Sequence, residues 1–156
     1  MPGLSQETAR ASLRGLKCEK TAAVITGATQ CGNLASNLPE EFRTLGGATL
    51  KFLMMFFGED GNMGIMLTTL PSSSYAGLKS ALTERFGAPA SSEEQEVQNK
   101  LGTKFTNEVT IWQKGDDKLT LQKFGSNINE GSLRLSSIEY ELQRAELSAK
   151  SKAKDL

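Results

Sequence analysis

Histidine is absent from this chain of 156 residues. Its absence removes the commonest general base near neutral pH and the commonest metal ligand together, and an enzyme reading loses its usual carrier. Net charge is missing too, because 18 Lys and Arg balance 18 Asp and Glu. No bulk field exists to hold a polyphosphate or an anionic membrane, so nucleic acid is not an expected partner. No run reaches about 18 apolar residues, so no membrane span is expected. Nor does a basic stretch followed by an apolar one follow Met1. A cytoplasmic chain is expected if Met1 is native, and a periplasmic or secreted one if a leader was removed. With two cysteines and no histidine, a metal centre lacks ligands, and Cys-x-x-Cys redox spacing is absent. No cofactor is expected. The content that remains, 38% hydrophobic with 15 Gly, is that of an ordinary globular chain, and its length suits one domain over 1–156.

Hydrophobic spacing divides the chain into alternating helices and strands. Ser5 precedes Ala9, Leu13 and Leu16 at helical spacing, with Leu4 in the staple position and Glu7 in the first turn, predicting a helix over 5–16. Ala22–Thr26 reads as a strand running into a Gly-punctuated turn, and 33–47 as a connection. Ala48–Phe57 and Gly64–Leu70, joined by a Gly-rich loop, predict a hairpin. Its first strand is apolar on both faces, with Leu50, Phe52, Met54 and Phe56 on one and Leu53, Met55 and Phe57 beside Lys51 on the other. Such a strand is either covered on both sides or meets a partner with one face.

Tyr75, Leu78, Leu82 and Phe86 share a helical face before Gly87 and Pro89, predicting a helix over 74–86. Residues 90–107 are polar and acidic and read as a mobile connection. Val109 and Ile111 with Leu119 and Leu121 flank Gly115–Lys118 and predict a second hairpin, with Trp112 and Phe124 on its opposite face. A strand at Leu133–Leu135 follows. Ser136 with Glu139 has capping-box spacing ahead of Ile138, Leu142 and Ala145, predicting a helix from about 137 that frays into a basic tail near 148–156. The expected fold class is α+β: an antiparallel sheet of β-hairpins against two or three helices, arranged as two helix-plus-hairpin halves.

Few residues suggest chemistry. Thr21–Gly32 with the Tyr75/Lys79 spacing looks like the phosphate turn and catalytic pair of a short-chain dehydrogenase. Spacing argues against it: Cys31 and Asn33 stand where Gly is needed, Pro39 interrupts the following helix, and too few residues separate Gly27 from Tyr75. Such an oxidoreductase remains a remote alternative. The carboxylate pairs Glu59–Asp60 and Asp116–Asp117 sit in turns that explain them without catalysis, and Glu93–Glu94 is read as solvated. Cys18 and Cys31 bound a loop of 14 residues; oxidised, they would stabilise the fold by about 3 kcal/mol, and reduced, they are two small buried side chains.

The run Gly3-Leu-Ser-Gln-Glu-Thr-Ala-Arg-Ala-Ser-Leu13, Cys18 and Cys31, and Leu78–Pro89 with its Arg85-Phe-Gly-Ala-Pro89 ending together resemble small exported bacterial proteins of the β-lactamase-inhibitory-protein-like and small outer-membrane-lipoprotein type. Leu4 stands where those families carry Met. The resemblance implies a protein-binding or envelope role without catalysis, and an oxidised Cys18–Cys31 bond. The expected function is therefore a non-enzymatic protein-binding domain of the bacterial envelope, with a cytosolic regulatory or host-interaction protein as the alternative. Phe52, Met54 and Phe56, or the alternate set Leu53, Met55 and Phe57, are the candidate partner contacts, and Trp112 an interface or core anchor. The expected partner is another protein, and self-association is a second expectation.

Overall fold

A computed structural model describes residues 4–20 and 29–154, with 147–154 as backbone only. The expected strand at Ala22–Thr26 lies outside the described residues. In chain order the elements are α1 (Gln6–Ser12), β1 (Lys17–Lys20), β2 (Thr29–Leu34), β3 (Thr44–Leu45), β4 (Ala48–Thr49), β5 (Phe52–Phe57), β6 (Met63–Pro71), α2 (Tyr75–Phe86), β7 (Ser91–Gln98), β8 (Lys104–Lys114), β9 (Asp117–Asn127), β10 (Glu130–Ser137) and α3 (Ile138–Lys154). Eight strands form one sheet in the order β1-β2-β5-β6-β10-β9-β8-β7, antiparallel at every pairing, and β3–β4 is a separate ribbon. The chain is thus α+β, dominated by antiparallel sheet. Four strands follow α1 in the large sheet and four follow α2, and the last strand of each run, β6 and β10, pair with each other at the centre.

Both helices cover the same face. Ala9 and Leu13 of the α1 segment pack with Leu53, Met55 and Phe57, while Tyr75, Leu78 and Leu82 of α2 pack with Leu121 and Leu133. Leu53 and Leu133 each stand opposite Thr68 of β6, so they project to one side of the pleat. The alternate residues of every strand then share the other face, which neither α1 nor α2 covers.

Local chemistry sets the element ends. The Ser5 hydroxyl accepts from the Thr8 N–H at 3.1 Å and starts α1. The helix ends at Ser12 and not at 16, because the chain turns through Gly15 at φ +97°, yet Leu13 remains buried. Gly87, at φ +86°, closes α2, and its carbonyl accepts the Trp112 indole N–H at 3.0 Å.

Several expectations are corrected. Ala48–Phe57 is not one strand: Ala48–Thr49 pairs with β3, and the chain breaks step at Leu50 and Lys51, whose ammonium turns out to pair with Glu130. Residues 90–107 are not a connection, since β7 and the start of β8 pair in register from Ser91–Ile111 to Gln98–Lys104. β7 reads as a loop because it is an edge strand with most side chains exposed, and no alternating apolar set marks it. Trp112 is not on the sheet face opposite Leu119 and Leu121; it is the register partner of Leu119 and shares their face, while Val109 and Ile111 lie on the other. The third strand extends over Glu130–Ser137, and α3 continues as helix to Lys154 where fraying is expected. Ser136 is buried within β10, so the Ser137 hydroxyl caps α3 by accepting from the Tyr140 N–H at 3.2 Å, and Leu142 is 62% exposed.

Candidate functional site, the helix-free face of the sheet

The strand FLMMFF of β5 divides its apolar side chains between the two faces. Leu53, Met55 and Phe57 are 5%, 3% and 0% exposed and form the core under α1. Phe52, Met54 and Phe56 point the other way and are half-buried. Burial therefore assigns Leu53, Met55 and Phe57 to packing, and Trp112, 5% exposed and bonded to Gly87, to the core under α2. Of the contact candidates, only Phe52, Met54 and Phe56 reach the helix-free face.

The registers give that face its composition. One row runs Lys17, Gly32, Met54, Leu67, Arg134, Thr120, Ile111 and Ser91 across seven strand pairings from β1 to β7. Apolar side chains flank a polar centre of Arg134 and Thr120. Gly32 leaves a dip between Lys17 and Met54, and Leu34, 59% exposed, stands at the dip with Phe52. The resulting groove has a volume of about 470 Å³. At the far side, Phe105 and Phe124 meet edge to face at 6.1 Å between ring centroids and line a second groove of about 460 Å³ with Val97 and Ile128. Sequence reasoning missed this second apolar patch because β8 carries apolar side chains at both parities.

Near the centre, α3 lies against β6 and β10. Glu141 pairs with the Arg134 guanidinium at 2.8 Å. The Asp116 carboxylate accepts from the Ser137 hydroxyl at 2.5 Å and the Glu139 N–H at 2.9 Å, and these bonds hold its pKa below the usual carboxylate value. Asp116 therefore anchors the start of α3, and Asp60 likewise accepts from the backbone and side chain of Asn62, each at 3.0 Å. Both turn carboxylates have structural partners.

On the helix-covered face, Tyr75 and Lys79 belong to a polar network. The Tyr75 hydroxyl bonds the Thr110 hydroxyl at 2.7 Å, Ser92 bridges Thr110 and Glu108 at 3.0 Å each, and Lys79 pairs with Glu108. Lys79 holds the Glu108 carboxyl below its ordinary value, while burial pushes the Tyr75 phenol up to about 12. A tyrosine that takes a proton in a hydride transfer needs the opposite shift, with its lysine free to act on it. Here the lysine charge is met by Glu108, and burial disfavours the phenolate. The adjoining groove of about 720 Å³ is lined by Ser72, Ser80, Thr83, Glu84 and Lys123 among others. Of the dehydrogenase-like segment, 21–28 lie outside the described residues, and Thr29–Gly32 is antiparallel strand paired on both sides and followed by a 3-10 turn at Ala35–Asn37.

Cys18 and Cys31 stand directly opposite on β1 and β2 and are joined as a disulfide. No described helix is long and apolar enough to cross a membrane. What the fold and face define is an α+β antiparallel-sheet protein with a disulfide and an apolar sheet face that its first two helices leave open. Comparisons with protein-family models, curated proteins and solved structures find no match to this chain.

Proposed function

We propose that this chain is a non-enzymatic protein-binding domain of an oxidising compartment, the bacterial periplasm or the exterior, and that it docks its partner on the helix-free face. One observation carries the reading: six of the ten apolar residues of β5 and β8 project from the sheet face that α1 and α2 do not cover and on which α3 begins. Apolar side chains left half-exposed together on one sheet face, on either side of the polar centre, have the composition of an interaction site. Aromatic and Met side chains supply contact area at low entropic cost. The absence of net charge fits recognition by shape and apolar contact. The disulfide supports an oxidising compartment, where such bonds persist, and the likeness of residues 3–31 to exported bacterial proteins points the same way.

The test is site-specific photo-crosslinking in the native host. A photoreactive residue at Met54 is expected to give one discrete adduct, and Phe52→Ser with Phe56→Ser is expected to abolish it. The same residue placed at Glu84, on α2 and away from this face, is expected to give none. No adduct at Met54, or equal adducts at both positions, would remove the proposal. Two free thiols in protein taken from its natural compartment would replace it with the cytosolic regulatory reading.

A further inference from the structure

The face that α1 and α2 leave open already carries one occupant, the beginning of α3. Its ring, Tyr140, lies where any side chain at Gly64 would be: a Cβ built on Gly64 would sit 2.1 Å from the Tyr140 Cγ. Gly64 lies at the irregularity in the β5–β6 register, where Met63 pairs with Phe57 and Ile65 with Phe56. Its φ is not in the left-handed region, so the need for glycine there is the space the ring takes and not the backbone. One residue on, Glu141 reaches the Arg134 guanidinium. Ile65 and Ser136, opposite each other between these two points, are 3% and 2% exposed, the most buried pair on this face. Ring slot, buried pair and cation together form a seat for a helix that carries an aromatic residue followed by a carboxylate.

The fit of α3 to the seat is incomplete. The Tyr140 hydroxyl and the Arg134 Nε are both buried, and among the described residues neither has a hydrogen-bond partner. Buried polar atoms left in this state weaken the packing that holds them. Leu142, one residue beyond Glu141, is 62% exposed and adds nothing to the packing. A helix that supplied an acceptor to the Arg134 Nε, filled the ring slot with an aromatic side chain that buries no polar atom, and buried an apolar residue beyond it would hold the seat more tightly than α3 does.

We propose that the seat at Gly64 and Arg134 is a recognition site for a helix of a partner protein that presents an aromatic residue followed by a carboxylate, and that α3 is its resident occupant, displaced when the partner docks. The proposal rests on the reading of the helix-free face as a docking surface. The seat then tells that partner's chemistry, and α3 regulates access to the polar centre of the face.

The probe is a peptide of residues 137–154, hydrocarbon-stapled through the exposed positions Glu139 and Gln143 so that its helix is preformed. It is titrated into the isotope-labelled full chain and followed by NMR at the amides of Gly64, Ile65, Arg134 and Ser136. In the wild type, the tethered α3 competes at an effective concentration on the order of mM. In Tyr140→Ala, which empties the ring slot, half-saturation is expected at a peptide concentration at least tenfold lower. Adding Gly64→Ala, which fills the slot without backbone strain, is expected to abolish those shifts, as is replacing the tyrosine of the peptide by alanine. Equal titration of wild type and Tyr140→Ala, shifts that survive Gly64→Ala, or no shifts in any variant would each overturn the proposal. Should Tyr140→Ala unfold the chain, Glu141→Ala, which frees the Arg134 guanidinium, takes its place, with half-saturation again expected at a lower peptide concentration than in the wild type. A discrete adduct at Met54 together with a silent peptide would leave the docking surface standing and refute the seat alone.

Discussion

Reduction of the Cys18–Cys31 bond is expected to cost the fold about 3 kcal/mol, the chain-entropy value for the loop it closes. The perturbation changes no side chain but the two cysteines, so the loss comes from an unfolded chain that becomes free to expand. In the folded state, β1 keeps its four pairings with β2, and the Asn33 side chain still donates to the Gly15 carbonyl at 2.6 Å. Cys31 is fully buried and stays beneath α1 as a thiol. For a domain of this size, 3 kcal/mol corresponds to a fall in Tm of roughly 6–12 °C. Thermal unfolding followed by far-UV circular dichroism, with and without a phosphine reductant and with thiols counted at the end, measures it. Urea unfolding should show a larger m-value for the reduced protein, because its unfolded chain exposes more surface. The double variant Cys18→Ala/Cys31→Ala should start from the lower Tm and ignore the reductant. A wild type with two titrated thiols and an unchanged Tm would refute the entropic account, and a reductant effect that persists in the double variant would show that the shift arises elsewhere.

Adjacent residues on β5 should behave oppositely. Met55→Ala, in the core under α1, should lose about 2–5 kcal/mol in urea unfolding, and Met54→Ala, on the helix-free face, less than about 1. Comparable losses would mean that both faces are packed. Trp112→Phe removes the donor to the Gly87 carbonyl and should cost about 1–2 kcal/mol; an unchanged midpoint would show that the bond contributes nothing net. Glu108 has a lowered pKa, chiefly through its bond to Lys79, so its contribution is present above its ordinary value of 4.5 and is lost as pH falls through the lower folded value. Glu108→Gln should therefore cost about 1 kcal/mol at pH 7, measured by urea unfolding, and less in acid. An acid limb identical to that of the wild type would contradict it.

The parts of this fold legible in the sequence are those with a single dominant period. Tyr75, Leu78 and Leu82 mark α2 because one helical face is buried and the rest is polar. β5 and β6 are visible as apolar runs around a Gly-rich turn. β7 is hidden because its edge position exposes Glu93, Glu94 and Glu96, and its pairing with β8 outweighs poor strand propensity. The face assignment of Trp112 fails for a related reason: β8 carries Val109 and Ile111 at one parity and Thr110 and Trp112 at the other, and alternation alone does not say which meets the helix. The seat for Tyr140 leaves no local signal, since the need for glycine at 64 arises from a ring far away in the chain. Likewise, Lys79 finds its counter-charge on Glu108 only once β8 is laid beneath α2.

The central pairing of β6 with β10 has a consequence for how the molecule comes into being. Its partners, from Glu130 with Pro71 to Ser136 with Ile65, are roughly sixty to seventy positions apart. A chain emerging from its N-terminus can complete α1 and the strands through β6 early, but β6 then waits as a bare edge until nearly all of the remaining chain is available. That edge, Met-Gly-Ile-Met-Leu-Thr-Thr-Leu-Pro, carries no charge to discourage another chain from adding to it. The centre of the finished sheet is therefore the point of greatest aggregation risk during synthesis, and the last long strand to form is the one that removes it.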